Sequence, residues 1–555
     1  MKKIIVLLIF LLIIGIGVIL RFYGLNESPP SLGFDEASLG YNAYSLMKTG
    51  RDEYGNFLPI SLRSFNDYKP ALYAYLSIPF IYFAGLNDSS VRMVSATAGI
   101  ISLIFLYLLL RKFIKNRWLV LAIFFILSFE PWRLHFSRTA FETHLSMMFF
   151  TIGCWLLLRT KNKINGWLSL LFFGLSAYSY HSARLSAPIL LMFWALDPIK
   201  LIKEKDVFNN GLKFIKNNLI RFLPIIGIII ICAPIFIANS GSLVLTRFEQ
   251  ENVFQHYFPY APKELLNPIN SVYYLAGIIS GHVFSNISAF NLNDRNFSWV
   301  KMSAQFIPGM GMLGWIEGLI FMVGFIEVLK LIGTSMKHRF LLYWVIAGIA
   351  PAAATWTWFH PLRSLNIYPA MEIIVALGLV KIFYILNTSI KHKLLKIAVF
   401  GGILAIFLVT IVFTINNELL YGAYENHGEY QPGGYKEGML YLKSIQDNYD
   451  QVIIDTPHAQ PFVFLMFYQA MDPKFVQGFA SIRPAPGVVG KNLIFNFGKF
   501  VFRKVDWPKD KALKNTVFWT QDDIPDKEVE TVSGAKIRMK VYNVLYHTAD
   551  IITIE

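Results

Sequence analysis

Long apolar runs, separated by short loops that carry lysine and arginine, occupy most of this 555-residue chain. Only 16% of its residues are charged and 55% are hydrophobic, whereas about 25% of the residues in a soluble domain are charged. About 20 apolar residues cross a bilayer as a helix, so the pattern predicts an integral, multi-pass membrane protein. About eleven spans are expected, at residues 4–22, 91–110, 118–136, 144–158, 167–180, 186–199, 220–238, 312–331, 340–356, 366–386 and 395–415.

The charges of the connecting loops predict the orientation of these spans. Loops 111–117, 159–163, 200–216, 331–339 and 387–396 are rich in lysine and arginine, and such loops stay on the cytoplasmic side of a membrane. The N-terminus is therefore expected in the cytoplasm and the segment after the last span outside it, with the cell membrane as the expected location. The same loops account for the net charge of +15. The expected partners are therefore membrane lipids, and no nucleic acid is expected.

The first outer loop, residues 23–90, contains an apolar run at 71–86 that is long enough to resemble a span. Counting this run as a span would reverse every later loop and put the basic loops outside. We therefore expect a juxtamembrane or re-entrant helix at 71–86, and a second short helix at 35–48.

The last part of the chain, residues 416–555, has a mixed pattern without a further apolar span. Runs at 451–455 and 516–519 are typical of strands, and 435–448 is typical of a helix. The expected fold is thus an all-α polytopic membrane domain, residues 1–415, followed by a small C-terminal α/β extracytoplasmic domain.

Ionisable and aromatic side chains cluster in the loops on the predicted outer side. A charged group at the lipid boundary is costly unless it is paired or used in function, and since these groups share one side, they are expected to converge on one cavity. The candidate site residues are Asp35, Glu36, Tyr41, Asp67, Tyr68, Lys69, Arg138, Glu142, His181, Arg184, His360 and Arg363.

These residue types suit the transfer of a sugar from a polyprenyl phosphate. A carboxylate can act as general base toward an acceptor hydroxyl, which is the role expected for Asp35. Lysine and arginine can hold a phosphate and stabilise the charge that develops as it leaves. The spacing does not choose among the candidate phosphate ligands Lys69, Arg138, Arg184 and Arg363.

Two segments of the first outer loop carry a resemblance to a known family. Gly33-Phe34-Asp35-Glu36-Ala37 and Tyr68-Lys69-Pro70-Ala71-Leu72 resemble the first outer loop of superfamily C glycosyltransferases. The most similar branch is the group of dolichyl-phosphate-mannose protein mannosyltransferases and lipid A aminoarabinose transferases. The segment from Arg138 to Glu142 resembles the second acidic outer loop of that group, the segment at Arg363 resembles its late outer-loop arginine, and the resemblance covers about residues 1–370.

The resemblance implies an inverting transferase with a polyprenyl-phosphate-linked sugar as donor. The family's catalytic base maps onto Asp35, with Glu36 beside it, and its second-loop acid maps onto Glu142. The lysine before proline, Lys69, maps onto a phosphate contact. No Asp-x-Asp motif stands in either acidic loop, so no metal cofactor is indicated.

Several alternatives stay open from the sequence. Tyr41, Asp67, Tyr68, His181 and His360 are candidate substrate contacts, and the acceptor is a protein, a lipid or a glycan. A transporter or flippase for a lipid-linked sugar is a second functional class. An O-antigen-type ligase is a third, because the long outer segment 239–308 contains arginine and histidine.

Overall fold

The computed structural model describes most of the chain, and its membrane part is helical. The described residues are 2–63, 68–159, 163–203, 224–235, 252, 268–287, 307, 311–355, 357, 359–421, 434–456, 461–480, 495–522, 524–543 and 546–555. Within them, four helical stretches are long and apolar enough to cross a membrane: Lys2–Phe22, Asp88–Phe113, Pro361–Ser389 and Lys393–Ile415. The predicted polytopic helical architecture is confirmed, and the count of eleven spans stays a prediction.

The helices of this part follow the predicted apolar runs closely. In chain order they are α1 (Lys2–Phe22), α2 (Phe34–Thr49), α3 (Leu72–Ala84), α4 (Asp88–Phe113), α5 (Arg117–Ser128), α6 (Pro131–Arg138), α7 (Glu142–Leu157), α8 (Lys163–Ser179), α9 (Ala183–Leu196), α10 (Pro198–Lys203), α11 (Pro224–Ile235), α12 (Pro268–Ile287), α13 (Trp315–Leu331), α14 (Met336–Ala353), α15 (Pro361–Ser364), α16 (Tyr368–Ser389) and α17 (Lys393–Ile415). Helices α2 and α3 are the two expected in the first outer loop. Between them, strands β1 (Ser61–Arg63) and β2 (Tyr68–Pro70) pair antiparallel.

The predicted span 118–136 is wrong as a single helix. It is broken into α5 and α6, whose axes differ by 54°. Proline at position 131 has no backbone N–H to donate and disfavours helical backbone at the residue before it. Glu130 accordingly is extended, with φ −62° and ψ 144°. The break turns α6 so that all of its residues are buried.

Helix α12 was not predicted. Its twenty residues lie within segment 239–308, which the sequence pattern assigned to an outer loop. Its side chains His282, Ser285 and Asn286 are buried, and these polar residues interrupt the apolar run that would have indicated a helix.

The C-terminal part contains a six-stranded mixed sheet, which confirms the predicted α/β character. Its elements are α18 (Tyr435–Ile445), β3 (Gln451–Ile454), α19 (Pro461–Tyr468), α20 (Pro473–Gly478), β4 (Phe495–Phe497), β5 (Phe500–Phe502), α21 (Trp507–Asp510), β6 (Thr516–Thr520), α22 (Asp526–Glu530), β7 (Ala535–Asn543) and β8 (Tyr546–Ile554). The strand order is β4-β5-β3-β6-β8-β7. Strand β3 is parallel to both β5 and β6, and the other pairs are antiparallel.

The sheet domain packs directly on α2. The hydroxyl of Tyr41 donates to the carbonyl of Met471 at 3.0 Å, and the side-chain amide of Gln477 donates to Thr49 at 3.0 Å. At Gly40 the contact is so close that an added Cβ would lie 2.5 Å from the ring of Phe467. Helix α2 is thereby held between the membrane helices and the sheet domain, and its first turn carries Asp35.

Candidate active site

A pocket lies where five chain segments meet at one end of the helical domain. These segments are the first turn of α2, strand β2, the residues around the start of α7, the turn before α9 and the turn before α15. The pocket is lined by Asp35, Lys69, Pro70, Phe141, Glu142, Thr143, Tyr180, His181, His360 and Leu362. Of the residues predicted from the sequence, it brings together Asp35, Lys69, Glu142, His181 and His360.

The position of Asp35 follows from the start of α2. The helix begins after Gly33, whose backbone is extended and whose N–H donates to the carboxylate of Glu36 at 2.9 Å. Asp35 thus stands in the first turn, where the helix dipole favours a negative charge. Its side chain is 24% exposed, so the carboxylate remains open to a ligand.

Lys69 faces Asp35 from strand β2. Pairing with β1 puts Lys69 opposite Leu62, and its ammonium group forms an ion pair with the carboxylate of Asp35. The side chain of Lys69 is only 12% exposed. An acid and a cation that are 34 residues apart in the chain therefore meet in a largely enclosed site, where their interaction with a substrate is stronger than in water.

Glu142 supplies a second carboxylate to the pocket. It is the first residue of α7 and precedes the predicted span 144–158. Burial raises the pKa of its carboxyl to about 7; the charge of Lys69 opposes this shift and that of Asp35 adds to it. A carboxyl whose charged form is disfavoured by burial can donate a hydrogen bond when it is protonated and accept one when it is not.

His181 is an uncharged member of the pocket. Burial, followed by the charge of Arg184, lowers the pKa of its imidazole well below the ordinary value, while hydrogen bonding with the backbone of Tyr68 opposes the shift. The guanidinium of Arg184 lies 2.8 Å from Nδ1 of His181. Because a guanidinium can only donate, Nδ1 accepts this bond and Nε2 carries the proton. Arg184 thus supports His181 and does not line the pocket, and its role as a phosphate ligand stays a prediction.

Glu36, predicted as catalytic beside Asp35, points away from the pocket. Its two oxygens accept hydrogen bonds from the backbone N–H of Gly33 at 2.9 Å and of Ala140 at 2.6 Å, and from Arg92 at 3.2 and 3.3 Å. Its side chain is 1% exposed. The catalytic assignment is not supported by this geometry, because every oxygen is already used to join α2 to α4 and to the segment before α7.

Arg138 also lies apart from the pocket lining. Its guanidinium donates to the backbone carbonyls of Leu20, Tyr23 and Ser28, each at 2.8 Å. The residue is fully buried among these groups. Arg138 therefore fixes the chain that leaves α1, and it does not reach the pocket as a phosphate ligand would.

The remaining predicted residues lie around the pocket without lining it. Arg363 donates to the hydroxyl of Thr357 at 3.2 Å, although its neighbours His360 and Leu362 line the pocket. Tyr41 is a contact of the sheet domain and not of the substrate site. Tyr68 contributes its backbone next to Lys69, and Asp67 lies outside the described residues.

Sequence reasoning missed Phe141 and Tyr180 as lining residues. Phe141 directly precedes Glu142, and Tyr180 directly precedes His181. Their position next to predicted site residues could therefore have indicated them. It also missed the buried ion pair between Arg133 and Glu372, which joins α6 to α16. Two opposite charges inside predicted spans indicate such a pair.

Within the described residues, no three His, Cys, Asp or Glu side chains are grouped so that they could hold a metal ion.

Comparison with known families gives one partial match. Residues 11–178 match the family described as dolichyl-phosphate-mannose-protein mannosyltransferase. This range includes Asp35, Lys69 and Glu142. A search of curated proteins finds no significant match.

Solved structures with the same fold include ArnT and an archaeal oligosaccharyltransferase. ArnT from Cupriavidus metallidurans in the apo state has a TM-score of 0.53 and 10% identity, over 98% of this chain and 97% of that one. The same protein bound to undecaprenyl phosphate gives a TM-score of 0.52 at 12% identity, with the same coverage. The archaeal oligosaccharyltransferase AglB from Archaeoglobus fulgidus, in complex with an inhibitory peptide and a dolichol-phosphate, has a TM-score of 0.51 and 12% identity over 84% of this chain.

The length of the match differs between these structures. The alignment covers 64% of AglB, so this chain spans less than two thirds of that protein, whereas it spans nearly all of ArnT.

The predicted enzyme class, a glycosyltransferase with a lipid-linked sugar donor, agrees with the family match and with the solved structures. The match over residues 11–178 and the shared fold confirm the resemblance of this chain to superfamily C glycosyltransferases.

Proposed function

We propose that the protein is an inverting glycosyltransferase that moves a sugar from a polyprenyl phosphate to an acceptor hydroxyl on the extracytoplasmic face. The observation that carries the proposal is the ion pair between Asp35 and Lys69 in a pocket that also holds Glu142. Such a pocket offers a base to an acceptor and a cation to a phosphate at the boundary where a lipid carrier presents its headgroup.

Asp35 is the general base of the proposed reaction. Its carboxylate takes the proton from the acceptor hydroxyl as the oxygen forms a bond to the anomeric carbon of the sugar. The bond from that carbon to the phosphate oxygen breaks, and the electron pair leaves with the polyprenyl phosphate. Attack occurs on the face opposite the leaving group, which inverts the configuration.

Lys69 binds the phosphate of the donor. Its ammonium group is paired with the carboxylate of Asp35; the phosphate of the donor takes over this contact, which leaves Asp35 available to the acceptor. The cation then stabilises the negative charge on the departing phosphate, in an enclosed site where such stabilisation is strong. No step requires a metal ion.

Glu142, His181 and His360 bind the sugar and the acceptor. A protonated Glu142 donates a hydrogen bond to a sugar oxygen, and His181 and His360 line the same pocket. The donor class is supported by ArnT bound to undecaprenyl phosphate and by AglB in complex with a dolichol-phosphate. The acceptor is a hydroxyl of a protein, a lipid or a glycan.

Substitution of Asp35 tests the role of the base. We expect Asp35→Asn to lower the turnover of purified protein by about 10²- to 10⁴-fold, the usual contribution of general-base catalysis, while donor binding persists. The matched control is Asp447→Asn, because Asp447 is 86% exposed in the sheet domain. Wild-type turnover by Asp35→Asn would contradict the assignment of the base.

Substitution of Lys69 tests the binding of the phosphate. Loss of a charged hydrogen bond weakens binding by about tenfold to a hundredfold, so Lys69→Ala should raise the Kd of the polyprenyl-phosphate donor by this factor. An unchanged Kd would refute this role. A transporter would return the donor unchanged, so consumption of the donor in the same assay separates the two functional classes.

A further inference from the structure

Helix α12 contacts the turn that carries His360 into the candidate active site. The side-chain oxygen of Asn286 accepts a hydrogen bond from the backbone N–H of His360 at 3.2 Å. Asn286 is fully buried, and it precedes His360 by 74 residues in the chain. A helix that the sequence pattern did not predict is therefore bonded to a residue that lines the pocket.

The orientation of the Asn286 amide follows from its two hydrogen-bond partners. Its nitrogen donates to the carbonyl of His282, one helical turn earlier, at 2.9 Å, and only the nitrogen of an amide can make this bond. The N–H of His360 needs an acceptor, which only the amide oxygen provides. The amide is thus held by its own helix with its oxygen directed at the turn.

His282 makes a second contact from the same face of α12. Residues four apart lie on one side of a helix, and Nδ1 of His282 donates to the carbonyl of Ala353, the last residue of α14, at 3.4 Å. His282 is buried and does not line the pocket. This histidine of segment 239–308 therefore braces the end of α14, and α12 is bonded to both ends of the segment from Ala353 to His360.

The backbone of the turn is also fixed from two other directions. The carbonyl of His360 accepts hydrogen bonds from the N–H groups of Arg363 and Ser364 at 3.0 and 3.2 Å, at the start of α15. The carbonyl of Leu362 accepts a bond from the hydroxyl of Thr143 on α7 at 2.7 Å. With α12 on its N–H, His360 has both polar backbone groups bonded, so its side chain enters the pocket from a fixed position.

We propose that Asn286 is a positioning residue of the candidate active site and acts through the backbone of His360. This role rests on the proposed function, in which His360 binds the sugar and the acceptor. Removal of the amide oxygen takes away the bond that fixes the N–H of His360, so that the imidazole shifts relative to Asp35 and Glu142. A misplacement of about 1 Å in a substrate site lowers the rate by about a hundredfold.

The test compares three single variants of the full-length protein purified in detergent. Asn286→Leu keeps the size of the side chain and removes the oxygen, whereas Asn286→Asp keeps an oxygen that can accept the bond. Ile278→Ala is the matched control, because Ile278 is a buried residue of the same helix and its truncation loosens the packing of α12 without removing a hydrogen bond.

We expect Asn286→Leu to lower kcat/KM by about tenfold to a hundredfold per folded molecule. The Kd of a polyprenyl phosphate without sugar should not change, because its proposed ligand Lys69 lies on another segment. Asn286→Asp should restore most of the turnover, and Ile278→Ala should lower the unfolding temperature at near-normal turnover. In a His360→Ala background, Asn286→Leu should have no further effect, since residues that act through one another are not additive.

The positioning role is overturned if Ile278→Ala lowers kcat/KM as much as Asn286→Leu does, or if the effects of Asn286→Leu and His360→Ala add. Asp35→Asn in the same assay separates this failure from failure of the proposed function. Loss of turnover by Asp35→Asn with normal turnover by Asn286→Leu removes the positioning role alone, whereas normal turnover by Asp35→Asn contradicts the proposed base.

Hydrogen exchange tests the contact without any turnover. The peptide 359–367, measured by mass spectrometry, contains the N–H that Asn286 binds. Asn286→Leu should speed exchange in this peptide, while Ile278→Ala should leave it close to that of the wild type. Equal exchange in the wild type and in Asn286→Leu overturns the proposal, even for a protein that transfers no sugar.

Discussion

Two adjacent acids in the first turn of α2 have different surroundings. Successive residues of a helix point about 100° apart, since one turn takes 3.6 residues. Asp35 therefore faces the pocket and Lys69, while Glu36 faces the protein interior and Arg92. The Asp-Glu pair in the sequence thus identifies the turn that carries the proposed base, and the direction of each side chain determines which of the two acids faces the pocket.

This difference predicts that Glu36→Gln destabilises the protein and does not act directly on catalysis. The neutral amide removes the carboxylate that pairs with the buried Arg92, and breaking a buried ion pair costs roughly 3–5 kcal/mol. We expect a lower unfolding temperature in detergent, with near-normal turnover per folded molecule. A variant with wild-type stability and lost turnover would instead restore Glu36 to the catalytic set.

At the scale of elements, α2 links the pocket to the sheet domain. Its first turn carries Asp35, its centre contacts α19 at Gly40, and its last turn accepts a hydrogen bond from Gln477 of α20. The packing of the sheet domain therefore helps to fix the helix that positions Asp35, the proposed base.

Gly40→Val tests this link. An added Cβ would lie 2.5 Å from Phe467 and 2.6 Å from Val91, so the sheet domain must shift, at a cost of roughly 1–3 kcal/mol for overpacking. We expect faster proteolysis of the C-terminal domain and a lower unfolding temperature. Gly15→Val in α1 is the matched control, because an added Cβ there has no atom within 4 Å among the described residues. Equal behaviour of the two variants would mean that the close contact at Gly40 has no part in stability.

At the scale of the whole molecule, the orientation in the membrane can be tested with single cysteines. The native Cys154 and Cys232 are buried and should give little background. Thr334→Cys lies in a predicted cytoplasmic loop and Ser533→Cys in the C-terminal domain, both at exposed positions. We expect a membrane-impermeant maleimide to label only position 533 in intact cells, and both positions after permeabilisation. Labelling of position 334 in intact cells would reverse the predicted orientation.

The amino-acid sequence by itself determined the features that depend on local composition. Apolar runs predict membrane helices because the transfer of each side chain into lipid contributes independently of the fold. The basic loops predict an orientation, and the segments around Asp35 and Lys69 predict an acid and a cation in one outer loop. The strands at 451–455 and 516–519 were likewise recognisable from their alternation and apolar content.

The tertiary structure alone decided which charged residues share the pocket. Four cations were candidates for the phosphate, and only Lys69 lines the pocket, whereas Arg138 binds backbone carbonyls and Arg184 supports His181. A buried guanidinium has to satisfy its donors with whatever acceptors are near it in space. These acceptors come from segments distant in the chain, so the spacing of residues along the sequence carries no information about them.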